Sequence, residues 1–221
     1  LSRTIFPQWT DVQAKLTLRP HPNHTVSALA YYSQDRAGTR VEDPGVASVE
    51  SSQGEILFKN DFWRANLDWT WRPSDRVHNS LIFAFGQDLT NFSLGQFGTI
   101  DTKVFLWTLR DIVTVDVTPH LEIRGGTDTI ASLYSFAFNF FDFDVSSFGS
   151  DPNAEREELE LADGGFAIAP SFFAEARVKL ADERIELVPG LRMDAYIAPG
   201  QFSFATLDPR FSFRITPDPR K

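Results

Sequence analysis

The stretch Trp63-Arg64-Ala65-Asn66-Leu67-Asp68-Trp69-Thr70-Trp71-Arg72 decides the fold class. Every odd position is apolar and every even position is polar. A helix needs apolar residues three and four apart, whereas a strand sends successive side chains to opposite faces. The segment is therefore a β-strand with one apolar face and one polar face. The same rhythm appears where Val12, Ala14, Leu16 and Leu18 alternate with Asp11, Gln13, Lys15, Thr17 and Arg19. It returns at Phe172, Ala174, Ala176, Val178 and Leu180, at Ile185, Leu187, Leu191, Met193 and Ala195, and at Phe211, Phe213 and Ile215. Weaker versions run through 25–32, 77–86, 105–117 and 121–134, which predicts nine strands in all.

The connections alternate between two kinds. Short ones at 20–24, 73–76, 118–120, 181–184 and 216–219 are rich in Pro, Asn, Asp and His, the residues of tight turns. Long ones are expected at 33–61, 87–102, 135–165 and 197–207. Strict alternation puts all the short turns at one end of the sheet and all the long loops at the other.

Composition narrows the class. The chain has 221 residues, 42% apolar, 14% aromatic and 23% charged, enough for one large domain or two small ones and too ordinary in charge for wholesale disorder. With no cysteine there is no disulfide framework, thiolate metal site or cysteine nucleophile. A net charge of −9 argues against a nucleic-acid binder, which needs a basic face. Apolar runs such as 81–85 are far short of the roughly 20 residues of a membrane-spanning helix. The chain opens at Leu1 and shows no signal peptide, so a processed or truncated chain is expected.

A soluble β-sandwich also alternates, but its strands run about five or six residues with turns every 8–12 or so. Here the alternation lasts longer, near the ~11 residues with which a strand tilted about 45° crosses a 25 Å apolar band. We therefore expect an all-β, antiparallel transmembrane β-barrel segment, residues 1–221 forming a single unit, with short periplasmic turns and long extracellular loops. Trp9, Trp63, Trp69, Trp71, Trp107 and Tyr32 are the expected membrane girdle. Lys15, Arg19, Arg64, Asp68, Arg110, Asp116, Glu122, Arg124, Asp128, Glu175, Arg177, Arg192, Asp194, Arg210 and Arg214 are expected to face the lumen, where mixed signs on neighbouring strands allow cross-strand pairs. So many charges cannot form a dry interior. They need water or a polar plug.

Pro189-Gly190-Leu191-Arg192-Met193-Asp194 resembles the "PGLRxD" strand of TonB-dependent outer-membrane receptors. Leu207-Asp208-Pro209-Arg210-Phe211-Ser212-Phe213-Arg214 resembles the "xxPRxSxR" strand of the same barrels. Leu109-Arg110-Asp111 and the stretch from Leu121 to Asp128 fit the same style. The resemblance implies a barrel of about 22 strands, an N-terminal plug and a TonB box that couples to the inner membrane. It also implies active uptake of a scarce ligand, such as a siderophore, across the outer membrane of a Gram-negative bacterium. The chain carries no plug, no TonB box and about nine strands, so an internal or C-terminal-half piece of such a barrel is expected. Its partners would be outer-membrane lipid, the plug and the remaining strands, and the TonB complex acting through that plug. The alternatives are a passive porin-like or adhesin barrel and a soluble β-sandwich binding module.

No enzyme signature is present: no G-x-S-x-G, no H-E-x-x-H and no phosphate loop. No cofactor is expected. His21-Pro22-Asn23-His24 has ligand-like spacing without a third ligand nearby, and a solvated turn is expected there rather than a metal site. The triplets beginning at Asn23 and Asn91 fit the glycosylation acceptor pattern, common by chance and without meaning at a bacterial outer membrane. The stretch 141–165 holds eight carboxylates (Asp142, Asp144, Asp151, Glu155, Glu157, Glu158, Glu160 and Asp163) against Arg156 alone. A solvated loop is expected there, with cation attraction as the functional alternative. Phe138, Phe140, Phe141 and Phe143, with Phe136 and Phe148 nearby, are candidates for an aromatic ligand surface or for a strand continued above the membrane.

Overall fold

The computed structural model describes all residues except 1, 6, 43–53, 95–97, 142–157, 182–183 and 217–221. The described residues form one antiparallel sheet of eleven segments: β1 (Ser2–Ile5), β2 (Gln8–His21), β3 (His24–Glu42), β4 (Gly54–Ser74), β5 (Val77–Leu94), β6 (Gly98–Thr118), β7 (Leu121–Phe141), β8 (Glu158–Ala169), β9 (Ser171–Leu180), β10 (Ile185–Ala198) and β11 (Phe202–Ile215). β1 and β2 both pair with β3, and β8 and β9 both pair with β7 and β10. Each couple is thus one strand interrupted at a proline, Pro7 or Pro170, which has no N–H to give the ladder. Counted so, the nine expected strands are the nine observed.

The strands run much further than the sequence rhythm suggests. β4, β6 and β7 each hold 21 residues and β3 holds 19. The connection expected at 87–102 shrinks to 95–97, and the one at 197–207 is a tight turn between Ala198 and Phe202. Those expected at 33–61 and 135–165 shrink to 43–53 and 142–157, so Glu158, Glu160 and Asp163 stand on β8 rather than in an acidic loop. The remaining acidic residues of that stretch, with Phe143 and Phe148, lie outside the described residues, as do 217–219 of the last expected turn. The reason for the difference is physical. Beyond about Phe62, Val104 and Tyr134 the alternation does not stop; it changes parity.

The short turns follow a regular slant. One row of paired residues crosses the sheet through Val26, Trp69, Leu81, Asp111, Thr127, Phe172 and Met193. β3 begins two residues before its member of that row, β5 four, β7 six and β10 eight. The turns therefore step by one residue per strand. With a rise of ~3.4 Å per residue and strands ~4.8 Å apart, that is the slant of strands inclined by roughly 35°, as in a barrel wall.

The sheet is a single layer without a core. Among the described residues the only buried apolar side chains are Ala167 and Ala198. Leu16, Leu67, Phe83, Leu109, Ile123, Phe172 and Leu191 are all exposed. A β-sandwich would bury such residues against a second sheet about 10 Å away, and no second sheet is present among the described residues. Among the described residues both edges are open: β2 and β11 are exposed along their full length, and β11 pairs with β10 alone.

Candidate functional site: two faces that exchange character

Register assigns every side chain to a face. On one face, Val12, Tyr32, Trp63, Phe105, Leu133 and Phe166 share a row, interrupted by Gln87 on β5. Towards the short turns this face stays mostly apolar. Trp63 meets Phe85 edge-on at 5.3 Å between ring centres, and Trp107 stacks with Phe105 at 6.3 Å. Nearer the turns, Trp69 and Trp71 stack at 6.2 Å, and the His24 ring lies parallel to Trp69 at 5.8 Å. Trp69 Nε1 donates to His24 Nδ1 at 3.1 Å, and the backbone N–H of Asn23 donates to His21 Nδ1. Both histidines are thus engaged locally at the turn end.

Four of the five expected girdle tryptophans share this face. Trp9 does not. It pairs with Asp35 on the opposite, polar face and is 70% exposed. Its position, an odd number of residues from Val12, puts it there; the sequence reading used its residue type and ignored its parity.

The opposite face gathers the expected charges. Arg64 reaches Asp88 at 2.8 Å, Arg110 reaches Asp128 at 2.6 Å, and Arg124 reaches Glu175 at 3.2 Å. Arg177 contacts Glu122 at 3.3 Å and Glu186 at 3.5 Å, and Arg192 contacts Asp194 at 2.8 Å. Lys15, Asp68, Asp116, Arg210 and Arg214 stand on the same face by register, while Arg19 falls in the register shift between Leu18 and His21. Gly86 makes the first pair possible. It lies directly across from Arg64, and a Cβ there would collide with the Arg64 side chain and the Trp63 carbonyl. Gly165 does the same for Tyr134, whose ring occupies the space its Cβ would take.

Above this zone, away from the short turns, the faces exchange character. The formerly apolar face turns polar at the row Thr10, Gln34, Asp61, Leu89, Lys103, Ser135, Gly164 and stays so through Arg36, Lys59, Asn91 and Asp101. An open depression of about 760 Å³ lies here, with Lys59, Asp61 and Lys103 in its lining. The formerly charged face turns apolar, and one row on it reads Ala37, Phe58, Phe92, Ile100, Phe138, Leu161. Phe136 meets Phe138 at 5.4 Å, and Phe138 stacks with Phe140 at 6.4 Å. Phe138 and Phe140 of the candidate ligand set are therefore together on one wall; Phe141 ends β7, and Phe143 lies outside the described residues. Phe58, Phe92, Ile100 and Leu161 were missed. The signal was present in the adjacent apolar pairs Phe62-Trp63, Val104-Phe105 and Leu133-Tyr134, which mark a change of parity.

The whole sheet is similar to parts of known receptor structures. It superposes on the unliganded ferric citrate transporter FecA with a TM-score of 0.61 and 13% identity, covering 94% of this chain and 33% of that chain. Against the siderophore receptor PiuA from Acinetobacter baumannii the TM-score is 0.56 at 10% identity, covering 95% and 39%. Against BauA, the ferric preacinetobactin receptor from the same organism, it is 0.50 at 13% identity, covering 93% and 37%. The chain thus spans between a third and two-fifths of these proteins, and at such identities the likeness is one of fold. These neighbours are transporters and receptors. No protein-family model matches the sequence, and no curated protein matches it.

Proposed function

We propose that this chain is wall of an outer-membrane, TonB-dependent receptor barrel that takes up a scarce ligand such as a siderophore. One observation carries the proposal: a single-layer sheet presents an apolar face that no other described residues cover. On β4 that face runs from Trp71 to Trp63, about 22 Å at the observed slant, close to the ~25 Å height of a barrel's apolar band. Lipid is the solvent that suits it, and tryptophans near both ends suit the two interfaces. The charged face then lines the lumen, and the aromatic wall above it stands over the outer leaflet, where a ligand arrives. The open edges of β2 and β11 require further strands, because unpaired backbone groups at bilayer depth cost several kcal/mol each. A plug filling the charged lumen and a TonB complex acting on it complete the receptor.

The test uses the protein as the cell makes it. A cysteine replacing Asp101 should be labelled by an impermeant maleimide on intact cells, and a cysteine replacing Ser74 should not. Growth on the ligand-dependent medium should disappear when the energy-coupling protein is deleted. Labelling at Ser74 alone reverses the orientation, and growth indifferent to energy coupling points to a passive pore.

A further inference from the structure

The aromatic wall has a charge rule of its own. Among the described residues of the face that bears Phe58 and Phe138, no Lys or Arg of β2 to β8 stands above Arg64, and Arg64 is itself drawn to Asp88; Arg3 of β1, paired with Val41 near the top edge of the sheet, is the one cation that register adds to this face. The ionisable acids there are Asp11, Asp35, Asp88 and Asp163. The cations of β3 to β6 at the same height, Arg36, Arg40, Lys59 and Lys103, fall on the opposite face by register. Lys59 pairs with Asp61 at 2.7 Å and Lys103 lies over the Phe105 ring at 5.1 Å, so both are engaged on that other side. An anion approaching Phe58, Phe92 or Phe138 meets aromatic faces, which carry negative quadrupole potential, and carboxylates. A cation meets the same groups as attraction.

From this separation we infer the ligand's chemical class: a neutral or cationic molecule with a ring-bearing apolar surface, which the wall accepts while turning anionic molecules away. The inference rests on the receptor assignment, since it takes the Phe58–Phe138 face to be the inner one. Apolar rings supply contact area to Phe58, Phe92, Phe136 and Phe138, and a positive charge gains from the ring faces and from Asp35 and Asp163. Electrostatic complementarity of this kind discriminates between partners more than it raises affinity.

The experiment compares two xanthene dyes of similar size and opposite net charge, cationic rhodamine 6G and anionic sulforhodamine B. Binding to the full-length protein in neutral detergent is followed by fluorescence anisotropy. Rhodamine 6G should bind at least about tenfold more tightly. The double variant Phe58→Ser/Phe138→Ser should lose that binding by about tenfold, while Lys59→Gln on the other face leaves it unchanged. Phe92→Lys, which adds a cation to the wall, should weaken rhodamine 6G and strengthen sulforhodamine B. Heat-modifiable migration of each variant checks its folding. Equal or tighter binding of sulforhodamine B, no binding of either dye, or indifference to Phe92→Lys overturns the inference. Dye selectivity that persists in a protein whose uptake needs no energy coupling would instead contradict the receptor assignment and leave the ligand class standing.

Discussion

The lower and upper halves of one strand, β4, obey opposite rules. From Trp63 to Trp71 the odd residues are apolar and the even ones polar; from Ile56 to Phe62 apolar Ile56, Phe58 and Phe62 are even, while Lys59 and Asp61 are odd. The backbone is continuous and the register with β3 and β5 is unbroken through the switch. In the proposed barrel, what changes is the solvent on each side. Where one face meets lipid, burial of each large apolar side chain is worth about 1.5–3 kcal/mol and selects odd positions. Above that level the same face would meet water, and the apolar residues move to the opposite face. A period-two pattern therefore reports the environment of a face, and its parity reports which face.

The largest expected effect separates the halves directly. Leu67→Arg puts a charge in the middle of the apolar face and should cost about 2–4 kcal/mol, seen as loss of the heat-modifiable folded form in outer-membrane fractions. Asn91→Arg, on the same face above the switch, should assemble at the level of the unaltered protein. Equal damage from both would abolish the distinction. Next comes Gly86→Val, which forces the Arg64 side chain off β5 and breaks its pair with Asp88. A cost of about 1–3 kcal/mol is expected in urea unfolding, larger than that of Arg64→Ala. Arg110→Ala should cost less, under about 1 kcal/mol, because its pair with Asp128 is half exposed to water. The smallest effect sharpens the picture of the turn end. Ala181 has a φ of 51° in the β9–β10 turn, and Ala181→Gly should gain roughly 0.5–1 kcal/mol in the same unfolding assay.

Much of this was legible in the sequence. All nine strands, the tight turns at Pro22-Asn23, Asp75-Arg76 and Pro119-His120, and the charged face follow from alternation and turn chemistry. The upper halves were not, because the search for apolar residues on one parity treats a switch as the end of a strand. Phe136, Phe138 and Phe140 fell inside the connection expected at 135–165, with a strand continued above the membrane as one reading of them, and β7 does continue through Phe141 on the even parity of Tyr134. Trp9 falls on the other face from the remaining four tryptophans because its parity differs from that of Val12, a distinction that residue type near a strand end does not carry. Pairing partners such as Arg177 with Glu122 and Glu186 needed the register itself, which depends on turn positions and not on residue type.

The slant of the strands has a consequence for the field inside the wall. Measured from the row through Trp69 and Asp111, Arg64 lies five residues up, Arg110 one up, Arg124 three down and Arg177 five down. Ion-selective pores gather charges of one sign into a ring at a single level. Along β4 to β9 these four cations each pair with a carboxylate instead, Asp68 and Asp116 stand among them on the same face, and the successive pairs descend like treads of a spiral stair. A charged solute moving along this stretch of the proposed barrel's wall would meet paired charges at successive heights and no collar of cations, which on that reading would leave sorting by charge to the aromatic rows at the top.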